Sequence, residues 1–112
     1  MIRVAAIGDL HLDKDPASPI LEGIEGVEQN ADLLLLAGDL TQHGLPEECG
    51  PLARSLSRLR LPVVAVLGNH EYHQGAEAEI RRELELSDVI VLEGERALLE
   101  LPGQRVGIAG TK

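Results

Sequence analysis

The sequence predicts an α/β fold in which a parallel sheet alternates with helices, in the order β-α-β-α-β-α-β, and a hairpin follows. Three segments repeat one plan, a continuous apolar run that ends in a glycine and a polar residue: 4–9, 33–39 and 63–69. Apolar runs without alternation are typical of strands that are covered on both faces, as in a parallel sheet. The polar residues recur every 30 residues, which is about the length of a strand–helix–strand unit.

The intervening segments predict three helices of unequal quality. Residues 19–29 place apolar side chains at helical spacing, but two glycines weaken that helix. Residues 47–59 are more regular in their second half, and Gly50-Pro51 predicts a break or a restart. Residues 76–86 are rich in Ala, Glu, Arg and Leu, which favour a helix by intrinsic propensity.

The remaining segments after residue 88 predict short strands. They cover residues 89–92, 97–101 and 105–109, with a turn at 102–104. No linker or low-complexity tract divides the chain, so residues 1–112 are expected to form part of a single domain. The last strand is expected to leave an uncovered apolar edge, at which a second copy of the chain could dock.

Composition limits the classes of partner. Lys and Arg number 10 against 19 for Asp and Glu, so the net charge is −9, the wrong sign for binding nucleic acid through phosphate neutralisation. The chain has no Phe or Trp, and Tyr72 is its one tyrosine, so it offers no set of aromatic side chains on which nucleic-acid bases could stack. No apolar run is long enough for a membrane span, and no secretory cleavage pattern follows Met1. We therefore expect a cytoplasmic protein without a membrane partner, and we expect Cys49 to be a packing residue.

The polar residues at the ends of the three main strands predict a metal site. Ligands collect at the carboxyl ends of the strands in open α/β sheets, where Asp9, Asp39 and Asn69 fall, with His11 and His70 close in sequence. This set of oxygen and nitrogen donors suits Mn, Fe, Zn or a related divalent cation. Two such ions about 4 Å apart would hold a phosphate and activate a water molecule. The alternative is that these aspartates are only helix caps or turn formers.

Three blocks carry a resemblance to a known family. Gly8-Asp9-Leu10-His11, Gly38-Asp39-Leu40 and Gly68-Asn69-His70-Glu71 resemble the D-x-H, G-D and G-N-H-[DE] signatures of calcineurin-like metallophosphoesterases. The resemblance implies that Asp9 and His11 ligate a first metal, that Asp39 bridges two metals and that Asn69 ligates the second. It implies that His70 contacts the substrate phosphate, and that a phosphate ester is hydrolysed by metal-bound hydroxide.

The sequence also departs from the family pattern. The second half of the family's domain carries further metal-binding histidines, including a G-H-x-H block, and this chain has no histidine after His73. We therefore expect an N-terminal half of a metallophosphoesterase α/β sandwich, either truncated or completed by a partner. A non-catalytic metal-binding scaffold is the alternative.

Several assignments stay open on sequence grounds. Small phosphoesters are favoured as substrates, with a nucleic-acid end as the alternative. His43 and His73 are expected to be polar loop residues near the cleft, and Glu71 either bonds a neighbouring histidine or faces solvent. The chain has neither the glycine-rich phosphate-binding loops of nucleotide-binding proteins nor a serine-hydrolase elbow.

Overall fold

A computed structural model describes residues 1–112 and confirms the α/β fold with a terminal hairpin. Four strands form a parallel sheet in the order β1-β2-β3-β4, and two more form a separate antiparallel hairpin. The strands are β1 (Val4–Ile7), β2 (Leu33–Ala37), β3 (Val63–Val66), β4 (Val89–Val91), β5 (Glu95–Leu101) and β6 (Gln104–Gly110). The helices are α1 (Pro19–Glu25), α2 (Pro46–Ser57), α3 (Asn69–Tyr72) and α4 (Glu77–Leu86), with a 3-10 turn at Val27–Gln29.

Strands β2, β3 and β4 of the parallel sheet are covered on both faces, as apolar runs predict, whereas three of the four residues of β1 are exposed, which corrects the expectation for the first run. Leu34 and Leu36 of β2 belong to a core that includes residues of α1, α2 and α4. Leu33 and Leu35 point the other way and pack with residues of the hairpin. Successive side chains of a strand face opposite sides, so an unbroken run of leucines serves both layers at once.

The hairpin forms the second layer. Leu99 and Leu101 of β5, together with Val106 and Ile108 of β6, pack against the face of the sheet opposite the helices. Gly110 approaches this sheet so closely that a methyl group there would overlap Val66. The inward-facing residues of β6 are therefore covered within the chain, whereas β6 pairs with β5 alone and leaves its other edge without a partner strand, as the sequence predicts.

The helices differ from their prediction in three places. Helix α1 ends at Glu25, and the segment beyond Gly26 forms a 3-10 turn in place of a continued helix. Helix α2 runs through Pro51 without the expected break. Pro51 removes a single backbone hydrogen bond near the start of the helix, while Cys49, Leu52 and Leu56 bury this face in the core. The short helix α3 was not predicted.

The first strand lies at an open edge of the sheet. Val4 is 54% exposed, and Ile7 and Ile20 beside it are 37% and 39% exposed. An apolar groove of about 350 Å³ runs between β1 and α1. None of the helices combines the length and the apolar character that a membrane crossing requires.

Candidate metal centre

The loops that follow β1 and β2 run side by side beyond the ends of their strands. The N–H groups of Asp9 and His11 donate to the carbonyls of Gly38 and Asp39, at 3.2 and 2.9 Å. Leu12 and Thr41 then form a parallel bridge. These backbone bonds place Asp9, His11 and Asp39 next to one another, at the edge where the spacing of the strands predicts a site.

Four side chains lie together at this edge. His11 Nε2 lies 3.8 Å from Asp9 Oδ1 and 3.8 Å from Asp39 Oδ2. The imidazoles of His11 and His70 stack with ring centroids 4.2 Å apart. One potential ligand atom from each of His11, Asp39 and His70 lies within 4.8 Å of the others. The structure therefore brings together four of the five predicted site residues.

The backbone at these ligands adopts an uncommon conformation. Asp9, His11 and Asp39 have φ angles of 55°, 47° and 51°, in the left-handed region that most side chains avoid. Such residues cost about 1 kcal/mol or more each, and they persist where the surrounding structure determines them. Left-handed residues of this kind cluster at functional sites, and three of the four in this chain carry a potential ligand here; the fourth, Asp88, lies in the turn between α4 and β4.

Asp39 is the electrostatic centre of the cluster. The backbone N–H of His70 donates to Asp39 Oδ1 at 3.1 Å, and this hydrogen bond is the main reason that the pKa of Asp39 lies below its usual range. Partial burial raises the pKa, and the nearby His70, His11 and Asp9 side chains oppose that effect. The carboxylate is therefore held in its ionised form, the form that ligates a cation.

Glu71 connects the loop after β2 to the loop after β3 through hydrogen bonds. Its side chain is completely buried, and its Oε2 accepts hydrogen bonds from the N–H and the hydroxyl of Thr41, at 3.0 and 2.9 Å. Its Oε1 accepts the N–H of Gly68 at 2.8 Å. Glu71 thus neither bonds a histidine nor faces solvent, which were the two roles considered from the sequence. Thr41 was not predicted to interact with Glu71.

The remaining predicted residues lie around this cluster. Asn69 is the exposed first residue of α3, outside the group of converging ligand atoms, so its role as a ligand stays a prediction. His73 is also exposed, and its ring centroid lies 5.0 Å from that of His70. His43 is 61% exposed, and its Nδ1 lies 2.8 Å from the buried Glu48.

The donor set fits a divalent cation. One ionised carboxylate and two imidazoles converge within coordination reach, and Asp9 adds a second carboxylate beside His11. The side chain of Asp9 is 78% exposed and that of His11 is 43% exposed, so the cluster opens to solvent on this side. Mixed nitrogen and oxygen donors suit Mn, Fe, Zn and related ions, and the open side leaves room for substrate.

Comparison with known proteins agrees with this geometry. The family described as calcineurin-like phosphoesterase matches residues 2–104 of the chain. A probable cyclic nucleotide phosphodiesterase of Synechococcus is 34% identical over 80 residues, which cover 62% of this chain and 31% of that protein. Phosphodiesterase YaeI of Escherichia coli is 29% identical over 115 aligned residues, which cover 97% of this chain and 43% of that protein. The chain thus spans less than half the length of either relative.

Proposed function

This chain belongs to the calcineurin-like phosphoesterase family, and from that premise we propose that it contributes a divalent-metal site for the hydrolysis of phosphate esters. The observation that carries the proposal is the convergence of Asp9, His11 and Asp39 at the carboxyl edge of the parallel sheet, with His70 stacked on His11 beside them. Three separate loops meet there with an ionised carboxylate at their centre. A purely structural role would not require three strained or tightly packed loops to present ligands to solvent.

The proposed roles follow the chemistry of each side chain. Asp9 and His11 would hold one ion, Asp39 would bridge two ions, and Asn69 would complete the second. Bound divalent ions supply the positive potential that a chain of net charge −9 lacks, and they lower the pKa of water. Manganese is a suitable ion for such oxygen and nitrogen donors.

His70 is proposed as the residue that meets the substrate phosphate. Its Nδ1 lies 3.0 Å from the carbonyl of Thr41, which can only accept a hydrogen bond, so Nδ1 carries a proton. This leaves Nε2 as the nitrogen that exchanges its proton. Protonated Nε2 would stabilise charge on the phosphate or donate its proton to the leaving oxygen.

We propose a small phosphodiester as the substrate class. The two relatives are named as phosphodiesterases, one of them as a probable cyclic nucleotide phosphodiesterase. The acidic composition also disfavours a long polyanion as a ligand. We further propose a cytoplasmic location, since the single thiol is buried and has no disulfide partner.

The test compares metal binding and hydrolysis in matched carboxylate variants. Calorimetric titration with Mn²⁺ and assays with bis(p-nitrophenyl) phosphate and p-nitrophenyl phosphate would use wild type, Asp39→Asn and Asp32→Asn. Asp32 is a suitable control because it also accepts a backbone N–H, that of Arg3, but lies outside the site. We expect Asp39→Asn to lower Mn²⁺ affinity at least tenfold and to reduce turnover by orders of magnitude, with Asp32→Asn close to wild type. Equal Mn²⁺ affinity in all three proteins would reject the site.

A half-site completed by a partner chain is the second candidate. It is favoured by the exposed apolar edge at β1, where Val4 and Ile7 are 54% and 37% exposed. In this alternative, residues 1–112 form the N-terminal part of one catalytic domain. Binding of one Mn²⁺ per chain without hydrolysis would favour it, whereas two ions and turnover by the chain alone would exclude it.

A further inference from the structure

We propose that Glu71 and Thr41 are positioning residues that fix the imidazole of His70 through a continuous set of hydrogen bonds. The inference rests on the proposed function, in which His70 faces the phosphate. In this set the buried carboxylate of Glu71 orients Thr41, and Thr41 in turn orients His70.

The first part of this set is the carboxylate of Glu71. Glu71 is completely buried, and a buried charge is tolerated when hydrogen bonds replace its water. Its two oxygens accept three donors: the N–H and hydroxyl of Thr41, and the N–H of Gly68. The carboxylate therefore fixes the loop after β2 to the loop after β3, across 30 residues of sequence.

The second part is Thr41. Glu71 holds this residue at two points, its backbone N–H and its hydroxyl, and the hydroxyl oxygen also accepts the N–H of Gly44 at 3.1 Å. Two-point attachment fixes the orientation of the residue, and with it the direction of the Thr41 carbonyl. That carbonyl accepts the Nδ1 proton of His70 at 3.0 Å.

The third part is the close packing around His70. Gly44 has φ of +74°, and a methyl group there would overlap the carbonyl oxygen of His70. The backbone N–H of His70 is bonded to Asp39 at the same time. The main chain of His70 is thus fixed by Asp39 and Gly44, and its ring is oriented by Thr41. Hydrogen bonds that orient an imidazole in this way fix its tautomer.

The test measures the tautomer directly. Two-dimensional ¹H–¹⁵N spectra of the metal-free 112-residue chain would be recorded for wild type, Glu71→Gln, Thr41→Val and Thr41→Ser. In wild type we expect the Nδ1–H tautomer of His70 to dominate. Glu71→Gln loses acceptor capacity and Thr41→Val loses the hydroxyl, so both should reduce the fraction of His70 in the Nδ1–H tautomer. Thr41→Ser keeps the hydroxyl and should retain the wild-type fraction.

The control is a carboxylate that connects α1 to the end of α2, away from the site. Glu25 accepts the hydroxyl of Ser55 and an N–H of the Arg58 side chain, and it has no hydrogen bond to Thr41, Gly44 or His70. Glu25→Gln should therefore leave the His70 spectrum unchanged. Circular dichroism would establish that each variant is folded, and if Glu71→Gln does not fold, the Val and Ser variants of Thr41 decide the question.

Kinetics give a second readout. A positioning role predicts that Glu71→Gln and Thr41→Val lower kcat by about 10- to 100-fold, with KM within a few-fold of wild type. An unchanged His70 tautomer in Thr41→Val and Glu71→Gln would overturn the inference. Because the spectra need neither metal nor substrate, a wild-type chain with the expected tautomer and no hydrolysis would count against the proposed function alone.

Discussion

The backbone of Gly68 packs against the carboxylate of Asp39, so that a methyl group at Gly68 would lie 2.9 Å from Asp39 Cγ and would overlap its Oδ1 and amide nitrogen. The central acidic residue of the candidate metal centre therefore depends on a residue without a side chain in the next loop. Glu71, which accepts the N–H of Gly68, also accepts the N–H and the hydroxyl of Thr41, so the two loops cannot separate without losing buried hydrogen bonds.

Gly68→Ala is expected to displace Asp39 and destabilise the chain. Overpacking of this kind costs about 1–3 kcal/mol, and the shifted carboxylate should bind Mn²⁺ more weakly. Urea denaturation and Mn²⁺ titration would measure the two effects. Gly23→Ala is the matched control because nothing lies within 4 Å of its added carbon. A helical glycine-to-alanine change there should stabilise the chain by about 0.5–1 kcal/mol. Full Mn²⁺ affinity in Gly68→Ala would contradict the dependence on Gly68.

His70→Ala is expected to slow hydrolysis by about 10²- to 10⁴-fold while metal content stays close to that of wild type. Alanine retains the backbone N–H that Asp39 accepts, so the carboxylate keeps its hydrogen bond. Metal analysis of the dialysed protein, alongside the kinetics, would check both statements. His43→Ala serves as the comparison, since His43 is an exposed histidine that pairs with Glu48. Loss of bound metal in His70→Ala would identify His70 as a ligand and contradict its assignment to the phosphate.

Glu48 is expected to make the stability of the chain depend on pH. Burial raises the pKa of its carboxyl, but hydrogen bonds from the side chain and N–H of His43 and from the N–H of Leu45 outweigh burial and hold the pKa below its usual range. A lowered pKa in the folded state stabilises the chain above the pKa of the unfolded state, and this contribution is lost as pH falls through the folded value. At neutral pH, Glu48→Gln should lower the free energy of unfolding by about 1–3 kcal/mol.

Denaturation of wild type and Glu48→Gln at a series of pH values would measure this effect. The difference between the two proteins should shrink as the pH falls from neutral to values below the ordinary pKa of a glutamic acid side chain. Glu47→Gln, at the exposed neighbouring position, should show no such change. A constant difference across this interval would show that the ionised carboxylate does not contribute.

Cys49 is expected to be chemically inert in the folded chain. Its side chain is buried in the main core, and burial, with the negative charges of Glu83 and Glu71, raises the pKa of the thiol to about 12. The thiolate is the reactive form, so a thiol reagent at neutral pH should not label the native protein. Mass spectrometry should show one label per chain after unfolding in urea. Rapid labelling of the native chain would contradict the packing role.

The strands and their polar ends were predictable because their signals are local. An apolar run such as Leu33 to Ala37 followed by Gly38-Asp39 indicates both a buried strand and the turn at its carboxyl end. The break at Gly50-Pro51 was predicted wrongly, since the cost of one missing hydrogen bond is outweighed by burial of α2, which the sequence alone does not show.

The bond between Glu71 and Thr41 was not predictable for a different reason. The two residues are 30 positions apart, and only the register of β2 against β3 brings their loops together. A local signal did exist for the other bond of Glu71, since an acidic residue three positions after the N-cap of a helix commonly accepts the N–H of the N-cap, here Gly68. Recognising this pattern would also have predicted α3.

The left-handed backbone at Asp9, His11 and Asp39 lowers thermal stability at the positions that supply the ligands. Glycine at these positions would relax the main chain, because it adopts a positive φ without steric cost, and a laboratory search for thermally robust variants should recover such replacements early. Each of them would remove a donor atom from the pocket. The most thermally stable variants of this sequence would therefore be those that no longer bind a metal ion.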